Sequence, residues 1–412
     1  MIGAGGREHA LCWKLSASPR VSAVWCAPGN PGIAQIQKCQ CIPLYDLDDW
    51  VKFAGEHAID LVVPGPELPL IDGIADALEE RGILCCGPTK AAAQLESSKI
   101  FTKHLCEAAG IPTAPWQSFT DLSRAKQFVR QIYGSPLVIK ADGPAAGKGV
   151  VLPLNQEEAL AALDMMMSER RFGEAGAAVV LEERLVGQEL SFFALCDGTT
   201  AIPFGFARDY KRVSADPTSA NTGGMGAISS SDLCSTELTR EVMARIILPT
   251  LGALARRHIA YRGILYAGLM LTDYGVKLIE FNVRFGDPEC QALMLRMDFD
   301  LFPFLLEAAK GNIGTMMPTW STDTAVAVVV AAPGYPEAPT HGSVIRLPEI
   351  RLPQTVVFHA GTAKRDGELV AVGGRVLTVC SRGETAAAIG NAYAAIEQVD
   401  WSEGYYRKDI GS

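Results

Sequence analysis

The stretch Ile279-Glu280-Phe281-Asn282-Val283-Arg284-Phe285-Gly286-Asp287-Pro288-Glu289 holds more chemistry than any other in this 412-residue chain. Apolar and polar residues alternate along it, the pattern of a strand with one face on a core. Ile279 and Phe281 are expected to face that core, while Glu280, Asn282 and Arg284 share the opposite face. Residues two apart in a strand have Cα atoms about 6.6–7 Å apart. The oxygens of Glu280 and Asn282 can therefore converge on a pair of divalent cations bridging phosphates, which stand about 3.5–4 Å apart in two-metal sites. A half-exposed strand with incidental polar residues is the plain alternative. Three polar groups in a row on one face of an otherwise apolar segment weigh against it.

Upstream, residues 265–272 and 276–282 read as strands, and a long Gly-, Ser- and Asn-rich stretch runs from 209 to 231. Gly143-Pro144-Ala145-Ala146-Gly147-Lys148-Gly149 resembles a P-loop without being one. Three residues separate its first glycines, and Gly149 stands where a Ser or Thr would hold magnesium. It reads instead as a flap between two antiparallel strands spanning 137–154, with amides able to fold over phosphates. Lys140 closes the first strand and puts a cation at the flap's root, although a strand-ending lysine is usually only solvated. After a strand at 177–181, Glu182-Glu183-Arg184-Leu185-Val186-Gly187-Gln188-Glu189 forms a hinge able to offer backbone groups to a purine and a carboxylate to a ribose. Taken alone, such a segment is more often a solvated turn. A helix is expected over 98–109.

The first ninety or so residues alternate short strands (23–27, 61–63, 83–86) with helical segments such as 71–81, the rhythm of an open parallel sheet. Met1-Ile2 leaves almost no room for a first strand before Gly3. Gly3-Ala4-Gly5-Gly6-Arg7-Glu8-His9 resembles a dinucleotide fingerprint, but its third glycine would fall on Glu8, and no acid closes the second strand. A phosphate cradle at the helix start and a tight turn without ligand stand at even odds. Pro64-Gly65-Pro66-Glu67 falls where the third strand ends. There Glu67 could accept hydrogen bonds from a ribose diol, or simply lie in water.

Apolar residues make up 48% of the chain and charged residues 20%, an ordinary globular composition too long for a single core. The net charge of −9 argues against a nucleic-acid partner. The longest aliphatic run, 325–332, is too short to cross a bilayer and reads as a buried strand. With no charged-then-apolar leader, export is not expected. The eleven cysteines lack zinc-type spacing and read as buried, reduced thiols. A final unit from about residue 322 contains several strands and a helix over 385–399.

These segments together resemble the phosphoribosylamine–glycine ligase family, also called glycinamide ribonucleotide synthetase, of the ATP-grasp superfamily. The likeness covers essentially the whole chain: GxGGREHA at 3–10, APGN at 27–30, GPE at 65–67, GPT at 87–89, SKxFTK at 98–103, KADGxAAGKGV at 140–150 and NTGGMGA at 221–227. It continues with YAGLM at 266–270, EFNxRFGDPE at 280–289, FHAGT at 358–362, GGRVL at 373–377 and YRKDIG at 406–411. Single motifs are weak, but the ordered set is specific. The resemblance implies an α/β and α+β chain in three parts. An N-terminal open parallel-sheet domain would occupy 1–95, an ATP-grasp domain 96–321 with a mobile flap subdomain at about 113–186, and a small C-terminal α+β domain 322–412.

It further implies that ATP is bound by Lys99, Lys140 and the flap through Gly147, Lys148 and Gly149. Adenine would lie on Glu182, Glu183 and the backbone to Leu185, and the ribose on Glu189. Mg2+ or Mn2+ would be held by Glu280 and Asn282. Gly5, Gly6 and Glu67 would form the phosphoribosylamine pocket. Asp209, Asn221, Thr222, Gly223, Gly224 and Arg284 would surround glycine and the transferring phosphate. A cytoplasmic, monomeric enzyme of purine synthesis is the expectation, with neither membrane nor nucleic acid as partner.

The chain departs from the family pattern where Tyr210 replaces a usual His, so no acid–base role is assigned there. Pro144 replaces a Leu in the flap, which would stiffen it, and Ala220 replaces a Pro. The alternatives are another ATP-grasp ligase, such as a formate-dependent transformylase or a biotin carboxylase; an NAD-dependent Rossmann oxidoreductase binding at residues 3–6; and a non-catalytic binding protein on the same scaffold.

Overall fold

The N-terminal region builds its parallel sheet from very short strands. Ile2–Gly3 pairs with Val24–Pro28, which pairs with Cys39–Cys41, and Leu61–Val62 pairs with Leu84–Cys85. A parallel bridge from Ile2 to Pro64 joins the two halves. The expectation that Met1-Ile2 leaves almost no room for a first strand is thus corrected. Two residues suffice because the backbone bonds on both sides: Ile2 N donates to Val63 O (3.1 Å), Gly65 N to Ile2 O (2.9 Å) and Ala27 N to Met1 O (2.9 Å). The single helix expected over 71–81 is two helices, Glu67–Asp72 and Ile74–Glu79. Gly73 lies between them at φ +100°, a left-handed backbone that ends a helix and suits glycine.

This computed structural model describes residues 1–412 except Tyr133, Ser135, Ala146, Gly147, Lys148 and Pro217. Among the described residues, a four-stranded antiparallel sheet runs in the order Trp116–Phe119, Val179–Glu183, Leu137–Ala141, Val150–Val151. Helices Leu122–Gln131 and Gln156–Leu163 supply Val129 and Leu163 to its own small core with Ile139 and Leu181. That separate core lets the unit carry the flap as a body of its own.

The largest sheet has eight strands, in the order Gly275–Asn282, Arg262–Thr272, Gln188–Asp197, Ala201–Asp209, Gly226–Ser229, Thr324–Ala331, Arg375–Gly383, Thr355–His359. It passes without a break from the central region into the C-terminal one, where Ala227 lies opposite Ala327. The run Thr324–Ala331 is buried throughout, as an unbroken apolar strand covered on both faces must be. Helix Glu289–Arg296, buried at every position, contributes Leu293 and Met294 to the core shared with Leu11 of the N-terminal helix and Ala327 of the sheet. Helix Thr385–Ile396 packs Ala388 and Ala392 on the C-terminal end of the same sheet. Among the described residues no helix is long and apolar enough to cross a membrane.

Candidate active site

A cleft of about 1270 Å³ opens where the flap subdomain, the end of the large sheet, and the N- and C-terminal regions meet. Its floor is the strand Gly275–Asn282, whose pairing with Arg262–Thr272 slips by one residue: Gly268 faces Glu280, but Leu269 faces Leu278. Ile279 is the extra residue of this bulge. Val276 and Leu278 are buried before it, Phe281 and Val283 after it, while Ile279 is half-exposed and lines the cleft. Its expected place in the core is therefore corrected; a bulge re-aims the residues that follow it. Glu280, Asn282 and Arg284 all reach the cleft. Burial pushes the Glu280 carboxyl up, but Lys211, Lys140, Lys99 and Arg284 outweigh it and hold the group below the usual range. The Asn282 amide oxygen accepts from Arg284 Nη2 at 3.3 Å.

Cations face this strand from the flap side. Ser98 caps the helix Lys99–Ala109, accepting from Phe101 N at 3.1 Å. Lys99 and Lys103, one turn apart, share a face, and both line the cleft. Lys99 Nζ donates to Gly143 O at 3.3 Å, and Lys140 Nζ to Ile279 O at 3.3 Å. Asp142 accepts from Ile100 N at 3.0 Å and so pins the root of the flap to the start of that helix. Burial lowers the pKa of both Lys99 and Lys103, against the attraction of Glu280 for the first and Glu182 for the second. Gly149 lines the cleft, whereas Gly147 and Lys148 lie outside the described residues.

Glu182 behaves differently from expectation. Its buried carboxylate bridges the ammonium groups of Lys103 and Lys140, which hold its pKa below the usual range although burial alone would raise it. The side chain serves as their counter-ion. Glu183, Leu185 and Glu189 line the same wall, and Glu189 pairs with Lys211 at 3.3 Å.

The loop after strand Ala201–Asp209 brings Asp209, Asn221, Thr222 and Gly223 to the cleft. Thr222 closes it on itself, donating through N and Oγ1 to Lys211 O at 2.7 and 2.9 Å. Arg375 holds it from the C-terminal region, donating to Gly223 O at 2.6 Å and Asp287 O at 2.5 Å. Gly224 does not line the cleft: a Cβ there would stand 2.6 Å from Pro288 Cδ, so its role is close packing. Tyr210 accepts from Gly411 N at 3.0 Å and lies under the Arg407 guanidinium at 5.2 Å, tying the loop to the C-terminal residues.

Gly5 and Gly6 do not line this cleft either. The Gly5 amide at the start of helix Gly6–Ser16 already donates to Glu8 Oε2 at 2.5 Å, and Glu8 pairs with Arg7 at 2.7 Å. A Cβ on Gly6 would meet Gln291 Nε2 at 2.6 Å. Glu67 does reach the cleft, paired with Arg284 at 3.2 Å. Arg284 also binds Glu96 at 2.8 Å, so this guanidinium clamps the floor strand to the N-terminal region.

Sequence reasoning missed Lys103, Lys211, Glu96, Arg7, Arg375 and Glu289 as cleft residues. The four-residue spacing of Lys99 and Lys103 was a usable signal. Arg375, more than eighty residues beyond the floor strand, offered none.

A cleft in which Lys99 and Lys103 of one helix and Lys140 at the root of the flap face a carboxylate and an amide on a sheet edge defines an ATP-dependent ligase of the ATP-grasp class. Family models for the phosphoribosylglycinamide synthetase N domain, ATP-grasp (A) domain and C domain match residues 1–96, 97–290 and 325–412. The chain belongs to the phosphoribosylglycinamide synthetase family. It is 50% identical over 413 residues to the phosphoribosylamine–glycine ligase of Mesorhizobium japonicum, covering 100% of this chain and 97% of the relative. It is 47% identical to the chloroplastic phosphoribosylamine–glycine ligase of Arabidopsis thaliana, over 98% of this chain and 78% of that one. The crystal structure of the Thermotoga maritima phosphoribosylamine–glycine ligase superposes with a TM-score of 0.84 at 34% identity, over 99% of this chain and 98% of that one. A Hydrogenobacter thermophilus biotin carboxylase domain, crystallised with magnesium-ADP, superposes at 0.73 with 18% identity over 98% and 90% of the two chains. That second likeness is one of fold.

Proposed function

We propose that the chain ligates glycine to 5-phosphoribosylamine, consuming ATP and releasing glycinamide ribonucleotide, ADP and phosphate, in purine synthesis. A carboxylate is a poor electrophile, so the glycine carboxylate first takes the γ-phosphoryl group. The amine of phosphoribosylamine then displaces phosphate from glycyl phosphate. Phosphoryl transfer calls for positioning and charge neutralisation rather than a protein nucleophile. The observation that carries the reading is that Glu280 and Asn282 line the cleft with Lys99 and Lys140.

Lys99 and Lys140 hold the phosphates, and the flap segment 143–149 covers them and keeps water from the acyl phosphate. The backbone of Glu183 to Leu185 takes adenine, and Glu189 the ribose. Asp209, Asn221 to Gly223 and Arg284 surround glycine and the transferring phosphate, and Glu67 faces phosphoribosylamine. Among the described residues no cluster of three His, Cys, Asp or Glu side chains is placed for a metal ion. One carboxylate and one amide oxygen, Glu280 and Asn282, still fit a hard divalent cation whose other ligands are phosphates and water. Mg2+ or Mn2+ bound there would neutralise charge on the phosphate oxygens.

The labour divides as substrate binding by 1–95, nucleotide binding by 96–321 with its flap at about 113–186, and closure of the cleft by 322–412. We read the chain as a monomeric, cytoplasmic enzyme, a compartment that its free thiols suit. The test is coupled ADP release with glycine, phosphoribosylamine and ATP, each omitted in turn. ADP formation that needs all three supports the ligation. Release driven by bicarbonate or formate in place of glycine would assign the chain to another ATP-grasp reaction.

A further inference from the structure

Strand register gathers a second set of polar groups on the cleft face of the large sheet. Ser191 lies opposite both Ala207 and Gly268. Asp209 and Tyr266, two residues along their strands from those partners, therefore point to the same face as Ser191. Glu289, the first residue of the buried helix Glu289–Arg296, completes the group. Its Oε1 accepts from Tyr266 Oη at 3.0 Å and from Ser191 Oγ at 3.5 Å, and Tyr266 and Ser191 are themselves 2.8 Å apart. Among the described residues, Glu289 Oε2 accepts no hydrogen bond.

Asp209 is the independent sign of a missing partner. Its side chain is 6% exposed and lines the cleft, yet its nearest cation, Lys211 Nζ, stands at 3.7 Å, beyond hydrogen-bonding range, and also serves Glu189 at 3.3 Å. No other described residue donates a hydrogen bond to it. Burial pushes the Asp209 carboxyl up to about 7; Lys211 opposes the shift, while Glu289 and Glu189 add to it. A buried carboxyl with no donor beyond its own backbone amide is costly, and a bound cation would relieve it.

We propose that Glu289 and Asp209 form the subsite for the ammonium end of the amino-acid substrate, with Tyr266 and Ser191 fixing the Glu289 carboxylate. The inference rests on the glycine-ligase reading and deepens it. A zwitterion whose carboxylate faces Lys99, Lys140 and Glu280–Asn282 presents its ammonium away from the phosphates. Two carboxylates there keep that nitrogen protonated, so its lone pair is unavailable to attack an acyl phosphate, and the amine of phosphoribosylamine is the nucleophile that remains. The pocket thus selects an α-amino acid over an α-hydroxy acid of the same size.

The experiment compares glycine with glycolate in coupled ADP release at saturating ATP and phosphoribosylamine. Charge-assisted hydrogen bonds of this kind are worth about 10- to 100-fold. Glu289→Gln should raise the glycine KM by that factor, leave the KM values for ATP and phosphoribosylamine within about twofold, and narrow the glycine-to-glycolate preference. A preference equal to that of the unaltered enzyme would overturn the subsite. Should Glu289→Gln fail to fold, seen as loss of an ATP-dependent thermal shift, Tyr266→Phe removes one of the groups holding Glu289 and gives the same readouts with a smaller change. If the unaltered chain releases no ADP with glycine, the ligase reading itself fails. If it does, and only the preference is unmoved, the subsite alone fails.

Discussion

The glycine turn at 3–9 and the bulged strand Gly275–Asn282 both read, from sequence, as places to hold phosphates. The structure treats them oppositely. At the turn, the approach that glycine permits is taken by the protein's own Glu8, which accepts from Gly5 N and would overlap a Cβ on Gly3 or Gly65. At the strand, a one-residue slip in register turns Glu280 and Asn282 into open space. A glycine-rich turn says that something comes close to the backbone without saying what. A polar stripe on an apolar strand says that something polar must face it, because burying those groups unpaired costs too much.

The comparison breaks most sharply at Glu280. Glu280→Ala should abolish ADP formation with both substrates present, a loss of about 10³-fold or more, as for other groups that neutralise transition-state charge. Normal turnover in the coupled assay would remove the strand from the chemistry. Glu182→Ala should come next, by a different route. It leaves two buried ammonium groups facing each other, so chemical denaturation should show a loss of about 3–5 kcal/mol, with nucleotide binding weakened as Lys140 moves. An unchanged denaturation midpoint would mean that the lysine pair is not held by this carboxylate.

At the turn the expectation is of stability rather than catalysis. Gly65→Ala puts a Cβ 2.5 Å from Glu8 Cγ, which should cost about 1–3 kcal/mol from overpacking. The double variant with Glu8→Ala should recover part of that loss. Absence of any rescue would show that Glu8 is not what fills the turn.

The smallest effect is one of pH, beside the same helix. His9 Nδ1 accepts from His359 N at 2.8 Å, and both rings are buried. Burial lowers His9 to about 3, with His359 adding to the shift, and burial lowers His359 to about 4. Both are neutral in the fold, while the unfolded chain takes up protons near pH 6.5. The stability they contribute is complete above pH 6.5 and is lost as the pH falls from there toward 4. Each ring steepens the fall by about 1.4 kcal/mol per pH unit at most. Melting temperatures from pH 7 to 5 should drop less steeply in His359→Asn, and parallel slopes would refute the pair's role.

The sequence by itself determined the elements and the chemistry of the floor strand. Alternation of apolar and polar residues, the helix over 98–109 and the lysine at the flap's root are local, and a local pattern records which face is buried. It also limited the first strand to a stub, though not its success as a strand, which depends on a hydrogen bond to Val63 O and on others from Gly65 N and Ala27 N. Tertiary structure decided the rest. The bulge at Ile279 is set by what Gly268 and Leu269 pair with, and the bridging of Lys103 and Lys140 by Glu182 joins residues up to seventy-nine positions apart. The eight-stranded sheet crosses a boundary that composition would draw near residue 322. Whether a polar side chain meets ligand or protein depends on which distant surface folds against it, and the spacing of neighbours along the chain holds no record of that.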